Sequence, residues 1–198
     1  MTRATMSFCV LAFALAAPAA ERAKFNVEIQ PPAAERANAV GNPSFETIDR
    51  NGRCDGWQMQ VTRGQGRAEI DGREGFTGTK CLRFAGESDD FAAEARTEAP
   101  IPVIARTAYR IDWAGKGTAA QLTVTWLDGN KQKVGEAALS SPATADWQVH
   151  SAAADGPGLT CPPEARFAVI VLHGRGRGEL RLDHIVLVPA RAILKARV

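Results

Sequence analysis

Residues 39–189 form a succession of short alternating or apolar runs, each closed by turn residues. The run Gln121–Leu127 shows the pattern, because Leu122, Val124 and Trp126 alternate with polar residues. Successive side chains of a β-strand point to opposite faces, so this alternation is typical of a strand with one buried face. No window of this region repeats with a helical period over about three turns. The pattern therefore predicts an all-β chain.

Turn residues divide the region into about ten runs with strand character. The predicted strands are Trp57–Arg63, Arg67–Asp71, Lys80–Ala85, Phe91–Thr97, Tyr109–Ala114, Gln121–Leu127, Lys131–Leu139, Trp147–Ala152, Arg166–His173 and Glu179–Val188. The glycine-rich links at 64–66 and 174–178 are predicted to be hairpin turns, and 128–130 (Asp-Gly-Asn) is a further predicted turn. A parallel fold would need intervening helices, so the prediction is an antiparallel β-sandwich of jelly-roll type.

The first 19 residues have the layout of a secretory signal peptide. Arg3 precedes the apolar run Met6–Ala16, and small residues follow. Cleavage is expected after Ala19, with Ala16 as the alternative. The apolar run is too short to span a bilayer core of about 30 Å, so no membrane span is expected. The mature protein is predicted to be secreted, periplasmic or on the cell surface, with a tether at 20–38, the domain at 39–189 and a tail at 190–198.

Charge and cysteine content narrow the class of protein further. The net charge is only +2, which disfavours nucleic-acid binding, since that needs a clustered excess of positive charge. After signal removal Cys54, Cys81 and Cys161 remain, an odd number in an oxidising compartment. One disulfide is possible in three pairings, of which Cys54–Cys81 is preferred. Three buried free thiols are the alternative.

Six short motifs occur in a recognisable order along the domain. They are Gly41–Glu46 (GNPSFE), Asp55–Trp57 (DGW), Gly78–Leu82 (GTKCL), Tyr109–Ile111 (YRI), Asp146–Gln148 (DWQ) and Gly178–Leu187 (GELRLDHIVL). Together they resemble the carbohydrate-binding modules of the cellulase and xylanase type, whose fold is the galactose-binding-like jelly roll. The opening motif is similar to their "N-x-x-F-E … G-W" pattern. The resemblance covers roughly residues 39–189.

The resemblance implies a structural calcium ion that ties the first strand to the last. Its carboxylate ligands would be Glu46 and Asp183, with backbone carbonyls near Ser44 and in the loop that ends at Lys80. Calcium takes 6–8 oxygen ligands, which suits such a mixed set. The alternative is that Asp183 accepts backbone N–H bonds or pairs with an arginine.

The resemblance also implies glycan binding, in a groove across a sheet or at the loop ends. The four tryptophans match core positions, so polar side chains with outward parity are the candidates. The predicted ligand-binding residues are Arg110, Asp112, Gln121, Thr123 and His150, with Thr125 and His173 as possible additions. The alternative is that this polar strip is a solvated sheet face.

No motif for a nucleophile elbow, a phosphate loop or a metalloprotease is present. The histidines stand on separate predicted strands, without the spacing of metal ligands. The sequence therefore predicts a secreted, non-catalytic module that binds a polysaccharide or other glycan. A structural or adhesion domain acting on an envelope protein partner is the first alternative, and a glycan-active enzyme is the second.

Overall fold

The computed structural model describes residues 38–152 and 159–190. The predicted signal peptide, the tether up to residue 37 and the tail from residue 191 lie outside these residues. The described chain forms the following strands: β1 Trp57–Arg63, β2 Gly66–Asp71, β3 Cys81–Gly86, β4 Ala92–Thr97, β5 Ile101–Pro102, β6 Tyr109–Gly117, β7 Ala120–Leu127, β8 Lys133–Ser141, β9 Thr144–Ala152, β10 Phe167–Arg175 and β11 Gly178–Pro189. Among the described residues, no helix has the length and hydropathy that a membrane crossing requires.

The strands pair into two antiparallel sheets. One sheet has the order β1-β4-β10-β7-β8, with the short β5 paired to β10, and the other has the order β2-β3-β11-β6-β9. The prediction of an all-β antiparallel sandwich is thereby confirmed. We call the outward surface of β1, β4, β10, β7 and β8 the six-strand face. The outward surface of β2, β3, β11, β6 and β9 is called the five-strand face.

The two glycine-rich links predicted to be hairpin turns are not hairpins. β1 pairs with β4 and β2 pairs with β3, so the link at 64–66 carries the chain from one sheet to the other. The link at 174–178 does the same between β10 and β11. Gly66 has a φ of 154°, and a Cβ there would lie 2.4 Å from the carbonyl oxygen of Ala85. Glycine is thus required by a close backbone approach, which gives the same sequence signal as a tight turn.

The hydrophobic core lies between the sheets and follows the predicted parity of the strands. Along β7 the inward residues Leu122, Val124 and Trp126 are at most 1% exposed. Trp57 and Trp113 are likewise buried, at 3% and 2%. Three of the four tryptophans are therefore core residues, as predicted.

Trp147 is the exception, and its assignment to the core was wrong. It shares parity on β9 with Val149, which is 54% exposed, and its half-buried ring lies on the five-strand face. The ring centroid is 6.0 Å from that of Phe76, which is itself 38% exposed. Trp147 packs under a loop rather than between the sheets.

The three described cysteines are free and buried. The preferred Cys54–Cys81 disulfide is not formed. The structure instead has the three buried free thiols that were the alternative prediction. Burial raises the pKa of Cys54 to about 11 and that of Cys81 to about 12. Thiolates are the reactive form, so these side chains act as small apolar core residues.

Candidate ligand-binding face

The structure separates the predicted ligand-binding residues between the two sheets. Arg110 and Asp112 lie on β6, on the five-strand face, whereas Gln121 and Thr123 lie on β7, on the six-strand face. His150 points inward, because it pairs with the buried Trp113 and stacks on its ring at 5.6 Å. The five residues therefore do not form one site. Strand parity assigns a side chain to the inside or outside of its own sheet, and it does not reveal which sheet that is.

Charged side chains on the five-strand face are paired with one another. Arg83 lies between Glu69 and Glu179, at 2.7 and 2.9 Å from their carboxylates. Arg181 contacts Glu179 and lies 3.5 Å from Asp71. Further pairs on this face are Arg73–Asp71, Lys116–Glu74 and Arg110–Asp112. Arg67, at the exposed edge on β2, is outside this network.

Arg110 and Asp112, two of the predicted ligand-binding residues, belong to this self-contained set. The Arg110 guanidinium lies 3.0 Å from the Asp112 carboxylate, which also accepts a hydrogen bond from the Ser151 hydroxyl. Elsewhere on the face, the hydrogen bond from Arg73 lowers the pKa of Asp71, and that from Arg83 lowers the pKa of Glu179. The charges of this face are thus paired within the protein, although the Nε atoms of Arg83, Arg110 and Arg181 and the Nε1 of Trp147 are buried without a hydrogen-bond partner.

The predicted metal ligands hold the loop at 72–80 over the five-strand face. Asp183 is fully buried, and its Oδ2 accepts the backbone N–H groups of Phe76 and Thr77, each at 2.7 Å. Its Oδ1 accepts the N–H of His184 at 2.6 Å and the Thr77 hydroxyl at 3.2 Å. Burial raises the pKa of Asp183, and these hydrogen bonds oppose the rise. Asp183 thus connects β11 to the loop by direct hydrogen bonds.

Glu46, in the opening segment of the domain, is hydrogen-bonded to the same loop. Its Oε1 accepts the N–H groups of Thr79 and Lys80 at 2.7 Å, and the Lys80 ammonium lies 3.4 Å from its Oε2. Gly78 has a φ of 78°, and a Cβ there would lie 2.5 Å from Glu46 Oε1, so glycine permits this approach. Burial raises the pKa of Glu46, but the hydrogen bonds from Lys80 and Thr79 lower it overall.

This donor set does not fit a resident calcium ion. Calcium needs carboxylate and carbonyl oxygens that face it, whereas here both carboxylates are engaged by N–H donors and one by an ammonium group. Ser44, whose backbone carbonyl was a further predicted ligand, lies two residues before Glu46 in the opening segment. Within the part of the chain that the structure describes, no three His, Cys, Asp or Glu side chains converge as metal ligands. Calcium binding stays a prediction from the resemblance.

The six-strand face presents polar side chains in rows of cross-strand neighbours. The strand register places three rows side by side: Gln58, Arg96, Val171 and Thr123; Gln60, Glu94, His173 and Gln121; and Arg63, Ala92 and Arg175. Directly opposite residues on one face lie about 4.5–5.5 Å apart. A ligand lying across the strands would therefore contact the side chains of a single row. The predicted residues Gln121 and Thr123 belong to this surface, and so does His173.

Two adjoining cavities follow these rows. The larger, of about 650 Å³, lies at the edge strand β1 and is lined by outward side chains of β1 and β4, by the loop at 49–55, and by Met59 and Ala68 at the sandwich edge. The smaller, of about 290 Å³, lies at the other end of the strands and includes Arg63, His173 and Arg175. Glu94 borders both cavities. We call these two neighbouring cavities along β1 and β4 the groove.

His173 is the most constrained polar side chain on this face. Its Nε2 lies 3.1 Å from the Thr123 hydroxyl, and its Nδ1 lies 3.5 Å from the Glu94 carboxylate. Burial lowers the pKa of His173, although the charge of Glu94 opposes the change. The imidazole is therefore neutral at pH 7. A proton on Nδ1 would face Glu94 and leave Nε2 to accept the Thr123 hydroxyl.

Among the residues of this face that were missed in the sequence are Gln58, Gln60, Glu94 and Arg96. Their parity was readable, because they alternate with the inward residues of the predicted strands Trp57–Arg63 and Phe91–Thr97. What the sequence did not contain was the pairing of β1 with β4 and of β4 with β10. Phe167, partly buried at the start of β10, is the one aromatic residue with outward parity on the described strands of this face.

This chain matches known proteins in structure and not in sequence. No protein-family model matches the sequence. No curated protein matches it either. Among solved structures, the carbohydrate-binding module TmCBM61 in complex with β-1,4-galactotriose matches with a TM-score of 0.50 and 14% identity, over 77% of this chain and 99% of that one. The fold is the β-sandwich of carbohydrate-binding modules.

The same sandwich also occurs in enzymes. The enzymatically active domain of tailspike protein 4 from bacteriophage CBA120 matches with a TM-score of 0.64 and 13% identity over 78% of this chain, which spans only 22% of that domain. A cyclase from Fischerella sp. TAU, in complex with 4-(1H-indol-3-yl)butan-2-one, matches with a TM-score of 0.54 and 13% identity, over 79% of this chain and 99% of the cyclase. At these identities the likeness shows the fold alone, and function must be argued from the site.

Proposed function

We propose that this domain is a non-catalytic glycan-binding module and that the six-strand face is its binding surface. The observation that carries the proposal is the groove along β1 and β4, lined by amide, carboxylate and guanidinium groups that face solvent. Sugar hydroxyls are both donors and acceptors, so a mixed set of such groups suits them. A module of the same fold has been solved with an oligosaccharide, which supports a glycan as the ligand class.

The rows of side chains give the proposal its geometry. A chain lying along β1 and β4 would meet the amides of Gln58 and Gln60 on one side and Glu94 and Arg96 on the other. The guanidinium of Arg96 is held in place by Gln58, whose Oε1 accepts from its Nε at 3.1 Å and from its Nη2 at 2.8 Å. Such preorganisation lowers the entropic cost of binding.

We place the module outside the cytoplasm because of the predicted signal peptide at 1–19. Polysaccharides of walls, capsules and plant material are met there. Arg110 and Asp112 are not part of this surface, because they form an ion pair with each other on the opposite face.

A polysaccharide array followed by calorimetry tests the proposal. The array should contain plant, algal and bacterial polysaccharides, and its strongest hit would be titrated onto variants. Gln60→Ala should weaken binding about threefold to tenfold, which corresponds to one net hydrogen bond of about 0.5–1.5 kcal/mol. Gln148→Ala, an exposed glutamine on β9 of the other sheet, is the matched control and should bind like the parent protein.

Two results would overturn glycan binding on this face. No hit across the array would favour the alternative of a structural or adhesion domain with a protein partner. Equal weakening by Gln148→Ala and Gln60→Ala would show that the six-strand face is not the binding surface.

A second candidate function, catalysis, is favoured by one contact set. His173 lies between a hydroxyl and a carboxylate, the arrangement in which a base is oriented by a third group. Catalysis predicts that the array hit gains new reducing ends on incubation with the protein, and that His173→Gln abolishes them. Binding without any such gain supports the non-catalytic module.

A further inference from the structure

The row Arg63, Ala92 and Arg175 lies at one end of the groove on the six-strand face. Ala92 on β4 pairs with Arg63 on one side and with Arg175 on the other. The two arginines are therefore two strand spacings apart, about 10 Å between backbones, with only a methyl group between them. Both border the smaller cavity. Two guanidinium groups can thus reach one bound group from opposite sides.

Neither arginine has a carboxylate partner among the residues that the structure describes. The Nε of Arg63 donates to the carbonyl of Asp90 at 3.0 Å, which fixes the side chain and leaves its terminal amino groups free for a ligand. Arg175 is exposed and makes no ion pair. Its near neighbour Arg177 does pair, with Asp89 at 3.2 Å. A carboxylate is therefore within reach of this segment, yet it does not neutralise Arg175.

The other charged and titratable groups of this cavity leave it cationic. Glu94 and His173 border it together with the two arginines. Glu94 lies 3.5 Å from His173, which is neutral at pH 7 because burial lowers its pKa. The carboxylate of Asp90, on the loop before β4, accepts the Ser88 hydroxyl at 2.7 Å. Two arginines thus face a single glutamate.

We propose that this end of the groove binds the anionic group of an acidic sugar residue, so that the ligand is a polysaccharide carrying carboxylates or sulfate esters. Guanidinium groups bind planar carboxylates through two parallel hydrogen bonds, and they bind sulfate oxygens in a similar way. A neutral sugar would use the donors of these arginines without matching their charge. This inference rests on the proposed glycan-binding function and names the chemical class of its ligand.

Titration with matched polymers tests the inference. Polygalacturonate and its fully methyl-esterified form share a backbone and differ in the carboxylate charge. Alginate offers a second carboxylated backbone, and dextran sulfate with dextran forms the corresponding pair for sulfate esters. The protein should bind at least one charged polymer about tenfold more tightly than its neutral counterpart, as expected for one charge-assisted hydrogen-bonded contact. Added salt should reduce this preference, since exposed charges are screened.

Variants locate the effect. Arg63→Gln and Arg175→Gln should each remove most of the preference for the charged polymer, while their melting temperatures stay at the parent value. Arg177→Gln is the matched control, because it removes the same charge two residues away at an arginine that is already paired. It should leave the preference unchanged.

The outcomes separate this inference from the proposed function. Equal affinity for charged and neutral polymers, or binding to neutral glycans of the array alone, overturns the acidic ligand and leaves glycan binding intact. Equal losses from Arg177→Gln and Arg175→Gln overturn the site, because the effect is then one of general charge. No binding to any polymer or array glycan overturns both proposals. A preference confined to dextran sulfate supports the anion site and assigns it to sulfate esters.

Discussion

The two outward faces of the sandwich carry similar residues and use them differently. On the five-strand face Arg83 and Arg181 stand directly opposite each other, and the carboxylate of Glu179 bridges them. On the six-strand face Arg63 and Arg175 flank an alanine and pair with no acid among the residues that the structure describes. Carboxylates neutralise the arginines of the five-strand face and stabilise the fold, whereas the charges of Arg63 and Arg175 are available to a ligand. The difference arises from cross-strand register rather than composition.

The loop at 72–80 adds to this contrast. It crosses the five-strand face and is tied there by Asp183 and Glu46. It also places Phe76 over Trp147. These half-exposed rings are the alternative platform for a sugar, on the face where the charges are already paired. Experiments that distinguish the two faces therefore decide the function.

The largest expected effect is on stability, from the five-strand face. Asp183→Ala leaves three backbone N–H groups without their acceptor, so the free energy of unfolding should fall by about 3–5 kcal/mol. Asp183→Asn keeps one acceptor oxygen and should lose less. Urea denaturation measures both. A loss below about 1 kcal/mol for the alanine variant would contradict the account of the loop.

Chelation tests whether a calcium ion also stabilises the loop at 72–80. Since N–H donors and Lys80 occupy the carboxylates, EDTA should leave the melting temperature of the protein unchanged. Glu46→Ala should lower it with or without EDTA, because the backbone N–H groups of Thr79 and Lys80 lose their carboxylate acceptor. A melting temperature that falls on chelation, and no longer responds in Glu46→Ala, would instead support the calcium prediction.

Acid should weaken the five-strand face. Hydrogen bonds from Arg73, Lys116 and Arg83 lower the pKa values of Asp71, Glu74 and Glu179 in the folded state. Groups with a folded pKa below the unfolded value stabilise the protein above the unfolded pKa, and this contribution is lost as pH falls through the folded pKa. Stability should therefore decline from about pH 5 downward. Arg83→Gln should flatten that decline, and an identical profile would argue against the network.

The smallest effect concerns the cysteines. Cys54, Cys81 and Cys161 should resist a thiol reagent in the native protein and all react in denaturant, because they are buried and unpaired. Mass mapping of the labelled peptides identifies each one. Detection of a Cys54–Cys81 bridge would restore the pairing preferred from the sequence.

Strand existence and parity were predictable, and strand pairing was not. Alternation in Gln121–Leu127 fixed the inward residues of β7 because the side-chain period of a strand is two. The link at 64–66 carries glycines for a close approach between backbones, which looks the same in sequence as a hairpin turn. The two predicted sets, Arg110 with Asp112 and Gln121 with Thr123, therefore fell on different sheets.

The partners of the predicted metal ligands were likewise not readable from the sequence. Glu46 and Asp183 were rightly expected to lie near the loop that ends at Lys80. Their partners are backbone N–H groups more than 30 and 100 residues away in sequence. Carboxylates that accept N–H bonds and carboxylates that bind a cation have the same sequence, so only the geometry of the loop distinguishes them.

The most direct test of the account is to map the array hit onto the protein by amide chemical shifts. We expect shifts along the six-strand face, at Gln60, Glu94 and His173. Shifts confined to the five-strand face, at Arg110, Asp112 and Trp147, would contradict it.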